Sequence, residues 1–556
     1  MPPLNSISIS IPGGYLITSP GILNELKLEQ VRELWLRTRN EHVIKIVENV
    51  SSSHIFPKRS IFNGIKDALI NTAYSLSANG VDIFIWEFNV SSGHIRRGTV
   101  PRIIQTEECP PLKSNIDFKY NSSVDKSNKH KLRARNLTSI NLPRNILVNN
   151  VAAYLGRPLN LEIGWLTAAP AVSSTPNWNG TEVRTLTWSG HQDSFARSEV
   201  SALLEGIERR VGALESGHRT TVARACDLSG RIITPEDFPP YPEDFYGNIG
   251  VHFDPYDKHE WVTMENLYGE QAWMPREYVY YGEQIQHHLW ALTTSSGCAT
   301  GSTITEARLF GLLELIERDS FIGSWYAGIK PIPLDLTSDI SLEAHLARAK
   351  LLDVNLQCGI LPSITGIPVI MSVATHEDEH GTVGSVGAAC HPSLTVAIKA
   401  AINEAWTYIH ERVTFANKYS GNIRKHLSNP CAVNNISDHP LLLIYPSNPI
   451  YQHLIPEVSP QLIKVGEWEK YAKGSAEELL GRLIEDLSAQ EVDVWFHTQT
   501  SSIERQCGLQ TVMSVSPQLL PIDFGWSKQR ALQSPRLANI IQRHGTSPQL
   551  VPHPFS

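Results

Sequence analysis

A chain of 556 residues, 41% hydrophobic and 19% charged, has ordinary globular composition and room for one large domain with a smaller one. Its formal net charge of −8 shows no basic stripe, and no run reaches about 18 consecutive apolar residues, so neither nucleic acid nor a membrane is an expected partner. Seven scattered cysteines without a Cys-x-x-Cys pair argue against a disulfide framework and against a structural zinc site.

The first residues, MPPLNSISISIPGGYLITSPG, lack the basic start and apolar run of a secretory signal, and a reducing cytoplasm is the expected compartment. Residues 1–108 read as a small α+β unit. Tyr15-Leu16-Ile17 is a short strand, residues 26–48 carry helical apolar spacing, and Gly80 to Trp86 reads as a buried strand. Residues 109–139 are rich in Pro, Ser, Asn and Lys, which is linker chemistry. From about residue 140 to 556 strands and long helices alternate without a short repeat. The end, SPQLVPHPFS, is spaced by prolines and fits neither a helix nor a central strand.

One pattern stands out. Residues 203–210 read LLEGIERR and residues 312–319 read LLELIERD, identical at six of eight positions and 109 residues apart. A lone Glu-x-x-Glu-Arg is usually an exposed ion pair. Here it occurs twice in the same apolar frame, and the second copy lies in ARLFGLLELIERDSFIGSW, too apolar for a solvated helix. Carboxylates in such surroundings need compensation, and one arginine per copy is too little for two glutamates. Ser201, Glu205 and Glu208 fall on one side of a helix, as do Glu314 and Glu317. Packed together, two such helices present four carboxylates to one cavity. All-oxygen donors favour magnesium, which completes its shell with water and phosphate oxygens, and a nucleoside triphosphate is the natural companion. Before the second copy, Thr303 and Glu306 have capping-box spacing, so a helix should begin near Ile304. The glycine-bearing loop ahead of it could offer backbone N–H groups to phosphate, though it is no P-loop. His287 and His288 lack a third metal ligand. Cys298, Trp325 and Tyr326 read as packing residues.

SALLEGIERR (201–210) and SSGCATGSTITEARLFGLLELIERD (295–319) resemble the nucleotide-binding motifs of the YcaO family, and the likeness extends over roughly residues 140–556. The resemblance implies an α+β fold: a catalytic domain of mixed sheets with two facing Glu-x-x-Glu-Arg helices, plus the small N-terminal domain. It implies ATP and Mg2+ as cofactors, with Glu205, Glu208, Glu314 and Glu317 as magnesium ligands. Ser201, Arg209, Ser296, Arg318, Lys399 and Glu404 are then further nucleotide-site residues. It also implies activation of backbone amides: a Cys, Ser or Thr side chain of a ribosomal precursor peptide attacks the preceding carbonyl, the resulting oxygen is phosphorylated, and phosphate leaves to give an azoline. Thioamide or amidine formation uses the same activation, and a non-catalytic scaffold with a degenerate nucleotide site is the reading from another class. Relatives carry a proline-spaced tail near the nucleotide, here Pro548, Pro552, Pro554 and Ser556, with Pro552, Pro554 and Ser556 as the catalytic candidates. Implied partners are the precursor peptide, a ubiquitin-activating-enzyme-like or other peptide-recognition protein, a flavin dehydrogenase and a second copy of the chain. For residues 1–108 the resemblance to peptide-recognition winged helices stands beside a plain docking domain.

The chain departs from the family pattern at named places. Gly190-His191-Gln192 stands where azoline-forming relatives have Gly-Lys-Gly, and Ser295-Ser296-Gly297 where they have Ser-Asn-Gly. In the third motif Glu404 is present, but Ala400 and Thr407 occupy the Arg and Gln positions, with Lys399 beside the gap. These changes bear on the triphosphate contacts and leave the four carboxylates untouched.

Overall fold

The computed structural model describes residues 8–11, 14–18, 34–39, 83–89, 94–100, 132–161, 169–178, 183–213, 220–248, 250–281, 290–426, 429–446, 448–452, 454, 463–464 and 474–555. Four strands, β1 (Ser8–Ile11), β2 (Gly14–Thr18), β3 (Ile83–Asn89) and β4 (Ile95–Val100), form an antiparallel sheet in that order. The strand expected at Tyr15–Ile17 is β2; the one expected over Gly80–Trp86 is β3, which is displaced to Ile83–Asn89 and, among its described side chains, buries only Ile85 and Phe88. Of the helix expected over 26–48, only residues 34–39 are described, with 34–36 helical and Leu34 and Trp35 buried. This small unit docks on the chain that follows the linker. The Arg37 guanidinium donates to the Tyr154 carbonyl at 3.1 Å, and the Thr38 hydroxyl to the Val151 carbonyl at 3.0 Å.

Beyond residue 140 the elements build three more sheets. β5 (Asn160–Leu161), β6 (Ala169–Trp178) and β7 (Val183–Gln192) form one, followed by helix α1 (Phe195–Ala213). β8 (Thr221–Ala223), β9 (Arg231–Ile232), β10 (His259–Glu265), β11 (Gln271–Pro275) and β12 (Cys298–Gly301) belong to a second, which leads into helix α2 (Ile304–Tyr326). The third has the order β16-β15-β14-β13-β17, where β13 is Ile332–Asp335, β14 Asn355–Leu361, β15 Val369–Asp378, β16 Gly381–Cys390 and β17 Ile463–Lys464. Helix α3 (Leu394–His426) follows β16, and helix α4 (Ala476–Ser488) packs on α2. β18 (Trp495–Thr498) and β19 (Gln510–Val515) complete the second sheet as β12-β19-β18-β10-β11-β9, with β8 on β10; helix α5 (Pro535–His544) comes last.

Helix α2 is the axle of the molecule. Leu309, Leu312, Leu313, Ile316, Phe321, Ile322 and Tyr326 are at most 2% exposed, as its apolar composition requires. It starts where the capping residues place it: the Thr303 hydroxyl accepts from the Glu306 N–H at 3.1 Å. The Glu306 carboxylate does not close the box on Thr303; it accepts from the Ser302 N–H instead. Cys298, Trp325 and Tyr326 are buried packing residues, as expected, and the described cysteines are all free. Among the described residues no helix is long and apolar enough to cross a membrane.

Candidate active site

Three sheets end at one place. β7, β12 and β16 are each the last strand of their sheet, so each has backbone N–H groups with no strand to pair with. Glutamates from the three helices take them up. The Ser189 N–H on β7 donates to Glu205 of α1 at 2.9 Å. The Gly297 N–H, just before β12, donates to Glu314 of α2 at 3.1 Å. On β16 the Ala388 N–H donates to Glu404 of α3 at 2.8 Å and the Cys390 N–H to Glu317 of α2 at 3.0 Å. The same strand-to-helix unit is thus built three times, and only two copies show as a repeat in the sequence. Close strand–helix approach makes it possible. A Cβ at Gly190 or Gly387 would stand 1.9 or 2.4 Å from a carbonyl of α1 or α3, and one at Gly297 (φ +89°) 2.1 Å from the Ser514 carbonyl.

The two Glu-x-x-Glu-Arg helices bring their charges within range of each other: Glu314 acts on Glu208, and Glu404 acts on Glu317. Arg209 pairs with Glu205 at 3.2 Å and donates to the Ser295 hydroxyl at 3.0 Å. Arg318 lies 3.6 Å from Glu314 and 3.8 Å from Glu317. A third guanidinium, Arg412, sits behind Glu404, buried against the Tyr408 ring and the Gly384 carbonyl. Five carboxylates and three guanidiniums are therefore gathered, partly sheltered from solvent, where the three sheet edges meet. Burial raises the pKa of Glu208, Glu314 and Glu404, and it pushes Glu317 up to about 8, with Glu404 and Glu314 adding to the shift.

Does this set suit magnesium and a polyphosphate? No group of three or more His, Cys, Asp or Glu side chains among the described residues has the geometry to hold a metal ion unaided. Magnesium rarely asks for that; one or two carboxylates with water and phosphate oxygens suffice. The excess of carboxylate charge suits a divalent cation. The Arg318 Nε and Nη1 are buried without a hydrogen-bond partner, which suits an incoming anion. The residues present fit both groups.

The remaining expected residues are placed as follows. Ser201 lies one turn before Glu205 on α1, half-buried. Ser296 bonds Thr294, and it is Ser295 that reaches Arg209. Lys399 acts on Asp339 and His345 rather than on the glutamates. Ala400 is exposed, and Thr407 turns its hydroxyl onto the Asn403 carbonyl. The proline-spaced tail is packed into the molecule. Pro552 and Pro554 are buried, the Tyr451 hydroxyl donates to the Pro552 carbonyl at 2.7 Å, and Phe555 lies under the Arg318 guanidinium at 5.0 Å. Ser556, His287 and His288 lie outside the described residues. Sequence reasoning noted His191 only as a departure from the family pattern, and it missed Tyr408 and Arg412. The His191 imidazole bonds the Ser189 hydroxyl at 2.8 Å and meets the Tyr408 ring at 5.9 Å. Tyr408 and Arg412 follow Glu404 at helical intervals, a spacing that could have exposed them.

The sequence model of the YcaO family, described as YcaO cyclodehydratase, ATP- and Mg2+-binding, matches residues 189–520. Comparison with curated proteins finds no match. Among solved structures, one described as a heterocyclase in complex with substrate and cofactor aligns over 99% of this chain and 77% of its own, with 18% identity and a TM-score of 0.74. The heterocyclase TruD aligns over 92% of this chain and 70% of its own, with 16% identity and a TM-score of 0.59. At these identities the likeness establishes the fold, a mixed α/β assembly of several sheets.

Proposed function

This chain belongs to the YcaO family of ATP- and Mg2+-binding cyclodehydratases, and from that premise we propose that it activates backbone amides of a ribosomal precursor peptide and closes Cys, Ser or Thr side chains into azolines. The observation that carries the reading is the excess of carboxylates over guanidiniums where three sheet edges meet. Magnesium and ATP would supply the electrophilic phosphoryl group for an amide oxygen. Glu205, Glu208, Glu314, Glu317 and Glu404 would hold the cation side of that pair, and Arg209 and Arg318 would orient the glutamates and offer donors to phosphate. The edge N–H groups fix each carboxylate before any ligand arrives, so little reorganisation is left for binding. The tail, pinned at Pro552 and Phe555, keeps Arg318 in place. We further read residues 1–108 as the unit that docks peptide or a partner protein, residues 109–139 as its tether and 140–556 as the catalytic unit, working in the cytoplasm.

Mass spectrometry of a co-expressed precursor peptide tests the proposal. Loss of one water per ring is expected; exchange of oxygen for sulfur would reassign the chain to thioamide formation. Calorimetry with Mg2+ and ATP tests the shared premise, because a chain that binds neither is a scaffold.

A further inference from the structure

The end of the linker does not behave as linker. The Arg133 guanidinium donates to Glu306 at 3.4 Å and lies 4.3 Å over the Phe310 ring. The Ala134 N–H also donates to Glu306, at 3.3 Å, and the Arg135 guanidinium donates to the Ser302 hydroxyl at 3.0 Å and to the Gly508 carbonyl. Three consecutive residues are thereby clipped to the first turns of α2.

That clip places Arg133 on the face of α2 that carries Phe310, one turn from Glu314. Phe310 lies one turn before Glu314 and two before Glu317, on the same partly exposed stripe of α2. On α1, Arg197 lies two turns before Glu205, with Ser201 between them. Arg197 is among the charges acting on Arg133, and Arg133 is among those acting on His391, which follows the Cys390 that donates to Glu317. One linker side chain is therefore in range of groups from α1, α2 and the end of β16. Each of the two arginines has one carboxylate within reach, Arg133 at 3.4 Å and Arg197 at 3.7 Å. Glu306 is shared with two backbone N–H groups, and Asp193 stands 3.7 Å from Arg197 in the open. Both side chains are about half exposed, 47% and 49%.

We propose that Arg133 and Arg197 form an anion cradle beside the carboxylate cluster, that its ligand is the polyphosphate chain of the nucleotide, and that the linker thereby completes the nucleotide site. This rests on the nucleotide-site reading above. It gives the chain guanidiniums near the cluster although Ala400 offers none, and it ties the segment that leads from the N-terminal unit to the state of the nucleotide.

The test is calorimetric titration of the full chain with Mg2+ and ATP, ADP or AMP, for wild type, Arg133→Ala, Arg197→Ala and Arg133→Lys. A charge-assisted contact to phosphate contributes about 1.5–3 kcal/mol, so each alanine variant should bind ATP at least about tenfold more weakly. AMP binding should stay within about twofold of wild type, and Arg133→Lys should recover part of the loss, because a point charge remains without the planar fork. ATP affinity unchanged in both alanine variants would overturn the proposal. Equal weakening for AMP and ATP would also overturn it, since that is what a merely structural clip predicts. A raised KM for peptide with ATP affinity intact would assign the arginines to an acidic substrate instead, again against the proposal. If wild type itself binds no nucleotide, the nucleotide-site reading falls first and takes this one with it.

Discussion

Helix α2 buries charge in two ways within three residues. Glu317 and Arg318 belong to the cluster in which five carboxylates share three guanidiniums. Asp319, next in the chain, faces the other way and is matched: it is 1% exposed, takes a two-pronged contact from Arg536 at 2.5 Å, and accepts from the Leu520 N–H at 3.0 Å. Asp523 and Arg530 repeat the matched arrangement nearby, at 2.7 Å and no more than 6% exposed. Matched pairs hold a fold together, whereas an unmatched excess with fixed geometry waits for a ligand. The same residue types on one helix thus separate into a balanced and an unbalanced set of charges.

The largest expected effect lies on the unmatched side. Glu205→Gln and Glu314→Gln keep the backbone hydrogen bonds but remove charge that balances a cation. Peptide modification should fall on the order of 100-fold or more, with thermal stability at or above wild type. Full activity in both variants, measured by mass spectrometry of the peptide product, would make the cluster structural and erase the contrast.

On the matched side the outcome should invert. Arg530→Met strands the Asp523 carboxylate in the core and should cost about 3–5 kcal/mol in urea denaturation. A loss below about 1 kcal/mol would mean that the pair is no better compensated than the cluster.

Acidity separates the two regions next. For Glu317 the folded pKa of about 8 lies above its ordinary 4.5, so its contribution to stability is present below about 4.5 and is lost as pH rises through about 8. Glu208, Glu314 and Glu404 shift in the same direction. The metal-free protein should therefore melt at lower temperature as pH rises across that window, and Glu317→Gln should flatten the slope. Mg2+ with ATP should offset the fall and release protons on binding. A melting temperature that climbs steadily across the window would contradict this sign.

The smallest effect concerns the tail. Phe555→Leu keeps an apolar side chain beside Phe321 but removes the ring from Arg318, and it should cost about 1 kcal/mol of stability. A larger relative loss in ATP affinity than in stability would show that the tail serves Arg318 rather than the core.

Much of the site was readable in the chain because its signals are local. The Glu-x-x-Glu-Arg duplicate, its one-sided spacing and the Thr303 cap each span a few helical turns, where periodicity and capping act alone. The apolar frame of 307–326 likewise required a helix buried on most sides. Tertiary structure decided the rest. Nothing local to Glu404 says that its carboxylate will meet an edge N–H of β16 in the way that Glu205 meets β7, because that depends on which strand ends each sheet. The proline-spaced ending excluded helix and central strand, yet its burial under Arg318 follows from a space left by α2 and its neighbours. Arg133 was invisible for the same reason. Its segment has the composition of a linker, and its place is set by Glu306 and Phe310, more than 170 residues away, whose chain order carries no record of that contact.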